Sequence, residues 1–243
     1  MQLDNRPRPV LSLGPDAPEM ALGRAHEATG AAAIVFAALI AGRMRGPVLW
    51  ARPSARSGAL NPEGLSSFFD PARLVIASID RPIDILWTAE EALRSGAAPL
   101  VVAEVAEPPG LTPLRRLQLA AESGGDAARK LSGGALANAP AYDTKGRETD
   151  YSATGCRKNL RRNEKRMAGD RSPPLCLLIS PRAGSAGAVE SRWRCAPLPA
   201  WGAGATGEIQ AASPRWRFER VYGKSGPPLV WTAGGDAVRR RAA

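Results

Sequence analysis

Lysine is nearly missing from this chain and wholly missing from its first 129 residues: its five lysines are Lys130, Lys145, Lys158, Lys165 and Lys224. A phosphate-binding loop of the form G-x-x-x-x-G-K-[ST] needs the lysine to reach the β- and γ-phosphates and the hydroxyl to hold Mg²⁺. No such loop can be built before residue 130. Histidine is scarcer still. His26 is the only one, so any Ser-His-Asp or Cys-His arrangement would have to use it. It lies in an apparent strand beside Glu27 with no nucleophile motif, and reads as structural. The three cysteines, Cys156, Cys176 and Cys195, are widely spaced and odd in number. They make neither a zinc pattern nor a disulfide framework, which points to a reducing cytoplasm. Long apolar runs are also missing. Residues 31–42 are apolar but fall short of the about 20 residues that span a bilayer. Near the N-terminus stand Asp4, Pro7 and Pro9, where a signal peptide would carry an apolar core. The expectation is a soluble cytoplasmic protein that needs no membrane, cofactor or metal.

What is present is an ordinary globular composition with an excess of arginine. The 243 residues are 44% hydrophobic, enough for one α/β domain with a full core. The net charge is +10 and the pI about 10.3, which suits an anionic partner such as nucleic acid and equally a merely solvated basic surface. Residues 1–20, rich in proline and polar groups, read as an extended arm. Residues 22–52 then have the outline of a nucleotide-binding core: strand, glycine turn, apolar helix, buried strand. At the turn, Thr29 and Gly30 occupy a degenerate phosphate-loop position, followed by Ala31, Ala32 and Ala33. Thr29 is expected to cap the helix opening at Gly30, leaving amides that could receive an anion weakly.

The alternation continues downstream. Short apolar runs at 47–51, 73–78, 99–105 and 174–180 suit strands covered on both faces. Asp80 is placed to cap a helix over 81–95 that Gly96 ends, with Glu90, Glu91 and Arg94 toward solvent. Thr112 and Pro113 open a helix to about residue 123. Regularity stops at Gly125. Residues 126–172 hold four of the five lysines and eleven Lys/Arg against six Asp/Glu, half of the whole net charge. So polar a stretch buries too little surface to offset its ordering entropy. It reads as an insertion, disordered or loosely helical near 156–167. Beyond 180 the style changes to period-two alternation at 191–195 and 215–222, with a turn at 224–227 into 229–232, marking antiparallel strands with one wet face. On that face Arg192, Arg194, Arg215, Arg217 and Arg220, with Arg239, Arg240 and Arg241 in the tail, are the possible nucleic-acid contacts. Trp193, Trp216, Phe218 and Tyr222 point the other way. The divisions are therefore an arm at 1–20, a core at 21–125 and 173–235, an insertion at 126–172 and a basic tail at 236–243.

The order of these stretches resembles the alphaproteobacterial ImuA family. GRAHEATG at 23–30, GPVLW at 46–50, DPARLVIAS at 70–78, DILWTAEEALRSG at 84–96, PLVVAEV at 99–105, LRRLQLAAESG at 114–124 and SRWRCAPLP at 191–199 carry the likeness. No one of them is diagnostic; the specificity lies in their succession. The resemblance implies a RecA-like fold, a mostly parallel sheet with helices on both faces, in which Glu104 stands at the Walker-B-like position. It also implies an accessory role in SOS-induced translesion synthesis and mutagenesis, beside an ImuB-like protein similar to Y-family polymerases and an error-prone DNA polymerase. The family runs from the 114–124 helix almost directly into the next strand, so the 126–172 stretch is a departure. The expected function is non-catalytic. An active RecA-type DNA-dependent ATPase using Thr29 and Glu104, and a simple basic DNA-binding protein, remain open alternatives.

Overall fold

The computed structural model describes residues 9–14, 17–56, 58–134, 172–184, 187–199, 201–203, 209–211, 214–224 and 228–234, with backbone alone for 129–134, 201–203 and 209–211. Strands β1 (Val10–Ser12) and β2 (Glu19–Ala21) form a small antiparallel pair. Within the expected extended arm, Leu13 between the strands and Met20 in β2 are buried in the core. Then come β3 (Ala25–Thr29), α1 (Ala33–Arg43), β4 (Val48–Pro53), α2 (Pro62–Ser66), a 3-10 turn (Pro71–Arg73), β5 (Leu74–Ile79), α3 (Pro82–Ser95), β6 (Leu100–Glu104), α4 (Leu111–Gly134) and β7 (Leu175–Ser180). The C-terminal strands are β8 (Ser191–Leu198), the pair β9 (Trp201–Ala203) and β10 (Ile209–Ala211), β11 (Arg215–Gly223) and β12 (Leu229–Gly234).

Eight strands make the main sheet in the order β12-β11-β8-β3-β7-β6-β4-β5. From β8 to β5 all neighbours are parallel, and β11 is antiparallel to both β8 and β12. The apolar runs of β3, β6 and β7 are buried at every residue because helices cover both of their faces. On one face α1 packs Phe36, Ala37 and Ile40 against Trp50, Trp193 and Phe218. The Phe36 ring centroid lies 5.1 Å from that of Trp193 and 5.0 Å from that of Phe218, within the range of favourable aromatic pairs. On the other face α3 and α4 bury Ile85, Ala89, Leu93, Leu114 and Leu117.

Four local expectations are corrected. Strand β5 is not covered on both faces; it is the sheet's edge, and Val75 and Ile76 are about half exposed. Asp80 does not cap α3: the N-cap is Arg81, without a side-chain bond, and Asp80 instead accepts from Ser54 Oγ at 2.6 Å. Glu90 is buried, ion-paired with Arg94 at 2.5 Å and with Arg116 of α4 at 2.8 Å, so it joins the two helices instead of facing water. Finally, α4 opens at Leu111, ahead of Thr112, and runs through Gly125 to Gly134. The glycines there mark a close crossing and not a helix end. A Cβ on Gly124 would stand 2.0 Å from the Leu93 carbonyl, and one on Gly96 would stand 2.4 Å from the Gly124 carbonyl. The helix anticipated over 156–167 lies outside the described residues.

Candidate functional site

In a sheet of this kind ligands bind beyond the carboxyl ends of the strands, where successive helices go to opposite faces. Here that crevice lies at the ends of β3, β6 and β7, and the chain's own groups occupy its walls. Only Gly30, Ala31 and Ala32 separate β3 from α1. Strand β8 runs parallel to β3 and pairs up to Thr29↔Arg194, so its later carbonyls hang over the turn. Thr29 Oγ1 donates to the Trp193 carbonyl at 3.2 Å, Ala32 N donates to the Cys195 carbonyl at 3.2 Å, and Ala33 N donates to the Gly30 carbonyl at 3.1 Å. Thr29 therefore does not cap α1, whose N-cap is Ala32 with no side-chain bond. Gly30 has φ +95°, and a Cβ there would stand 2.3 Å from the Cys195 carbonyl. The backbone donors that a phosphate cradle would present are turned to protein carbonyls at Ala32 and Ala33.

The acid of the crevice is similarly engaged. Glu104 ends β6 with no exposed surface. Trp50 and Arg52 of β4 alternate onto its side of the sheet, and the Trp50 indole N–H donates to Glu104 Oε1 at 2.6 Å. Arg52 Nε lies 3.6 Å from the same carboxylate, and Arg56, from the turn after β4, makes a closer ion pair with it. Two guanidinium groups thus stand where a divalent cation would need to approach. Neither Arg52 nor Arg56 could be paired with Glu104 from sequence, since about fifty residues separate them.

A second buried acid escaped the sequence reading. Glu27, in the middle of β3, accepts from Gly184 N at 2.7 Å and from Arg192 Nε at 2.5 Å, with the Ser180 hydroxyl at 3.2 Å. It fastens β7, β8 and the loop after β7 across the crevice. Its only signal was a carboxylate inside a strand expected to be covered on both faces. Beside it His26 is structural, as expected. Its Nε2–H donates to the Ala21 carbonyl at 2.9 Å, and its Nδ1 accepts from Ser191 Oγ at 2.7 Å; that oxygen accepts from Trp193 Nε1 at 2.7 Å. Burial drives its pKa down to about 4, against a smaller upward pull from the Ala21 bond. Burial likewise raises Cys176 and Cys195 to about 12, which leaves both thiols protonated and poor nucleophiles.

The predicted arginine row divides. Arg194, Arg215 and Arg217 share the uncovered face of β8 and β11, where Glu219 pairs with Arg194 at 3.3 Å and lies 4.0 Å from Arg217. Arg192 is buried against Glu27 and lies over the Tyr222 ring at 5.4 Å. Arg220 is on the inner face, 5.9 Å over the Trp193 ring. A register shift between Arg220 and Tyr222 also moves Tyr222 to the side of Arg192, away from Trp216 and Phe218 where alternation had put it. Arg239, Arg240 and Arg241 lie outside the described residues.

Two curated relatives, each called Protein ImuA and from two strains of Caulobacter vibrioides, are 30% identical to this chain over 244 residues, covering 93% of it and 83% of their own length. The chain belongs to the ImuA family. No family model matches it. Among solved structures the crystal structure of the RadB recombinase is similar at a TM-score of 0.42 and 10% identity, over 87% of this chain and 86% of that one.

In this ImuA-family chain the stretches that carry the likeness converge. GRAHEATG supplies β3 and its turn, PLVVAEV supplies β6 with Glu104, and SRWRCAPLP supplies β8 with the carbonyls over the turn. The mostly parallel sheet with helices on both faces and antiparallel C-terminal strands is the architecture expected from the sequence.

Proposed function

We propose that this ImuA-family chain is a non-catalytic accessory factor in SOS-induced translesion synthesis and mutagenesis, acting by binding an ImuB-like, Y-family-polymerase-like partner beside an error-prone DNA polymerase. The observation that carries the non-catalytic part is the buried Glu104 carboxylate, held by Trp50, Arg52 and Arg56 next to a turn whose Ala32 and Ala33 amides donate to protein carbonyls. A phosphoryl-transfer site depends on a cationic clamp and a metal presented to the phosphates; here the cations face inward to a protein acid. Partner binding is supported by β5, an edge strand with Val75 and Ile76 exposed, since such edges pair readily with another chain. Direct DNA contact, within this proposal, falls to Arg194, Arg215 and Arg217.

The test has two arms. The full chain, co-expressed with the polymerase-like partner and treated with nuclease, should co-purify with it. Titrated with a non-hydrolysable ATP analogue in a calorimeter, it should release no binding heat; micromolar affinity would overturn the non-catalytic reading. Glu104→Ala is a poor probe here, because it strands Arg52 without a counter-charge at a cost of about 3–5 kcal/mol. Arg56→Ala, at a partly exposed position, uncovers the carboxylate more gently.

A further inference from the structure

A cleft of about 520 Å³ lies between the first turns of α4 and the segment leading into β8, lined by Leu111, Arg115, Gln118, Leu119, Ala188 and Lys224. It shares no residue with the crevice. Leu111, Arg115 and Leu119 follow one another at four-residue steps, so they make one stripe along the helix. Both leucines are largely exposed, at 52% and 64%. The opposite wall is fixed: Tyr222 Oη donates to the Gly187 carbonyl at 3.4 Å. With the Gln118 amide turned to donate to the Ala188 carbonyl at 2.7 Å and accept from Arg24 Nε at 3.2 Å, its polar groups are satisfied within the protein.

Charge separates this cleft from its surroundings. Neighbouring cations are paired: Arg116 with Glu90, Arg24 with Glu122 and Glu190, Arg182 with Glu107. Arg115 and Lys224 have no carboxylate partner among the described residues and border exposed leucines. A surface that is apolar along its length and positive at its rim complements an acidic chain with apolar side chains. Among the described residues no aromatic ring lines it, so they offer none of the stacking platform that single-stranded nucleic acid uses.

We propose that this cleft is a docking groove for an acidic, leucine-bearing peptide segment of a partner protein. The segment's apolar side chains cover Leu111, Leu119 and Ala188, and its carboxylates reach the Arg115 guanidinium and the Lys224 ammonium. The inference rests on the partner-binding reading and adds the chemistry of the partner's contacting segment. A random twelve-residue peptide display library, selected on the full chain and counter-selected on the Arg115→Glu/Lys224→Glu variant, provides the test. Both substitutions are at exposed positions with no carboxylate partner among the described residues and should leave the melting temperature unchanged. Enriched peptides should combine Asp or Glu with Leu, lose at least tenfold in affinity on the charge-reversed chain, and weaken also on Leu111→Ala/Leu119→Ala. Enrichment of basic peptides, no enrichment over the charge-reversed chain, equal affinity for both chains, or displacement by a single-stranded oligonucleotide would each overturn it. Because the readout needs no polymerase-like protein, its failure and a failed co-purification are separate results.

Discussion

At the scale of single residues, the buried polar groups do the most to define this molecule. Glu27, His26 and Glu104 are all nearly inaccessible; Glu27 and His26 are hydrogen-bonded within the protein, and Glu104 is held by the Trp50 bond and by ion pairs with Arg52 and Arg56. His26 gives the clearest consequence. Its folded pKa is near 4 and the ordinary value is 6.5, so between those pH values the unfolded chain holds a proton that the folded chain refuses. Stability therefore rises with pH across this window and is lost as pH falls from 6.5 toward 4. We expect wild type to lose stability relative to His26→Gln by up to about 1.4 kcal/mol per pH unit at the steepest point. The check is urea unfolding of both chains from pH 4 to 7. The variant should start lower at neutral pH, since the bond to Ser191 is disturbed. An unchanged difference across the range would mean that the folded site accepts the proton.

At the scale of elements, the crossing of α3 and α4 turns on small residues. The Gly96 turn has φ +65° and sits against the Gly124 carbonyl and the Ala128 backbone, while the Glu90–Arg116 pair fastens the helices further toward their other ends. Gly124→Ala puts a methyl group into the Leu93 carbonyl and also 2.8 Å from Pro174. Overpacking of this kind costs about 1–3 kcal/mol, although alanine is the better helix former in isolation. Gly110→Ala, with nothing within 4 Å of the new Cβ, is the control and should be near neutral. Denaturant midpoints of the two variants make the comparison; a neutral Gly124→Ala would show that the helices can move apart freely. This crossing also explains why helix signals were only partly readable. A glycine read along the chain looks like a terminator, whereas its reason here is a carbonyl about thirty residues away.

At the scale of the whole molecule, the 126–172 stretch is the outstanding departure. Its junctions are close in space: a Cβ on Gly125 would stand 3.0 Å from Pro173, and Gly23 N donates to the Pro174 carbonyl at 3.0 Å. A chain with Gly125 joined directly to Pro173 should therefore fold. It should be less stable than the full chain, since the deletion removes the buried Ala128 from the Gly96 crossing. Circular dichroism and thermal melting check this, and an unfolded or insoluble product would count against an insertion. The alternation of apolar runs, the antiparallel C-terminal strands and the structural histidine were legible along the chain because they depend on local periodicity and composition. The family was legible too, in the order of its stretches. The edge position of β5 and the burial of Arg192 were not, since strand order decides them, nor was the side of Tyr222, which the register shift after Arg220 sets; the inward side of Arg220 follows the same alternation as Trp216 and Phe218. By itself the sequence determined that no lysine could serve a phosphate loop at Gly30, because a missing side chain is missing in every conformation. Only the tertiary structure decided what fills that place instead. The β8 carbonyls and the Arg52 guanidinium reach the crevice by strand pairing, and Arg56 from the turn after β4; pairing over such separations leaves no trace in local spacing.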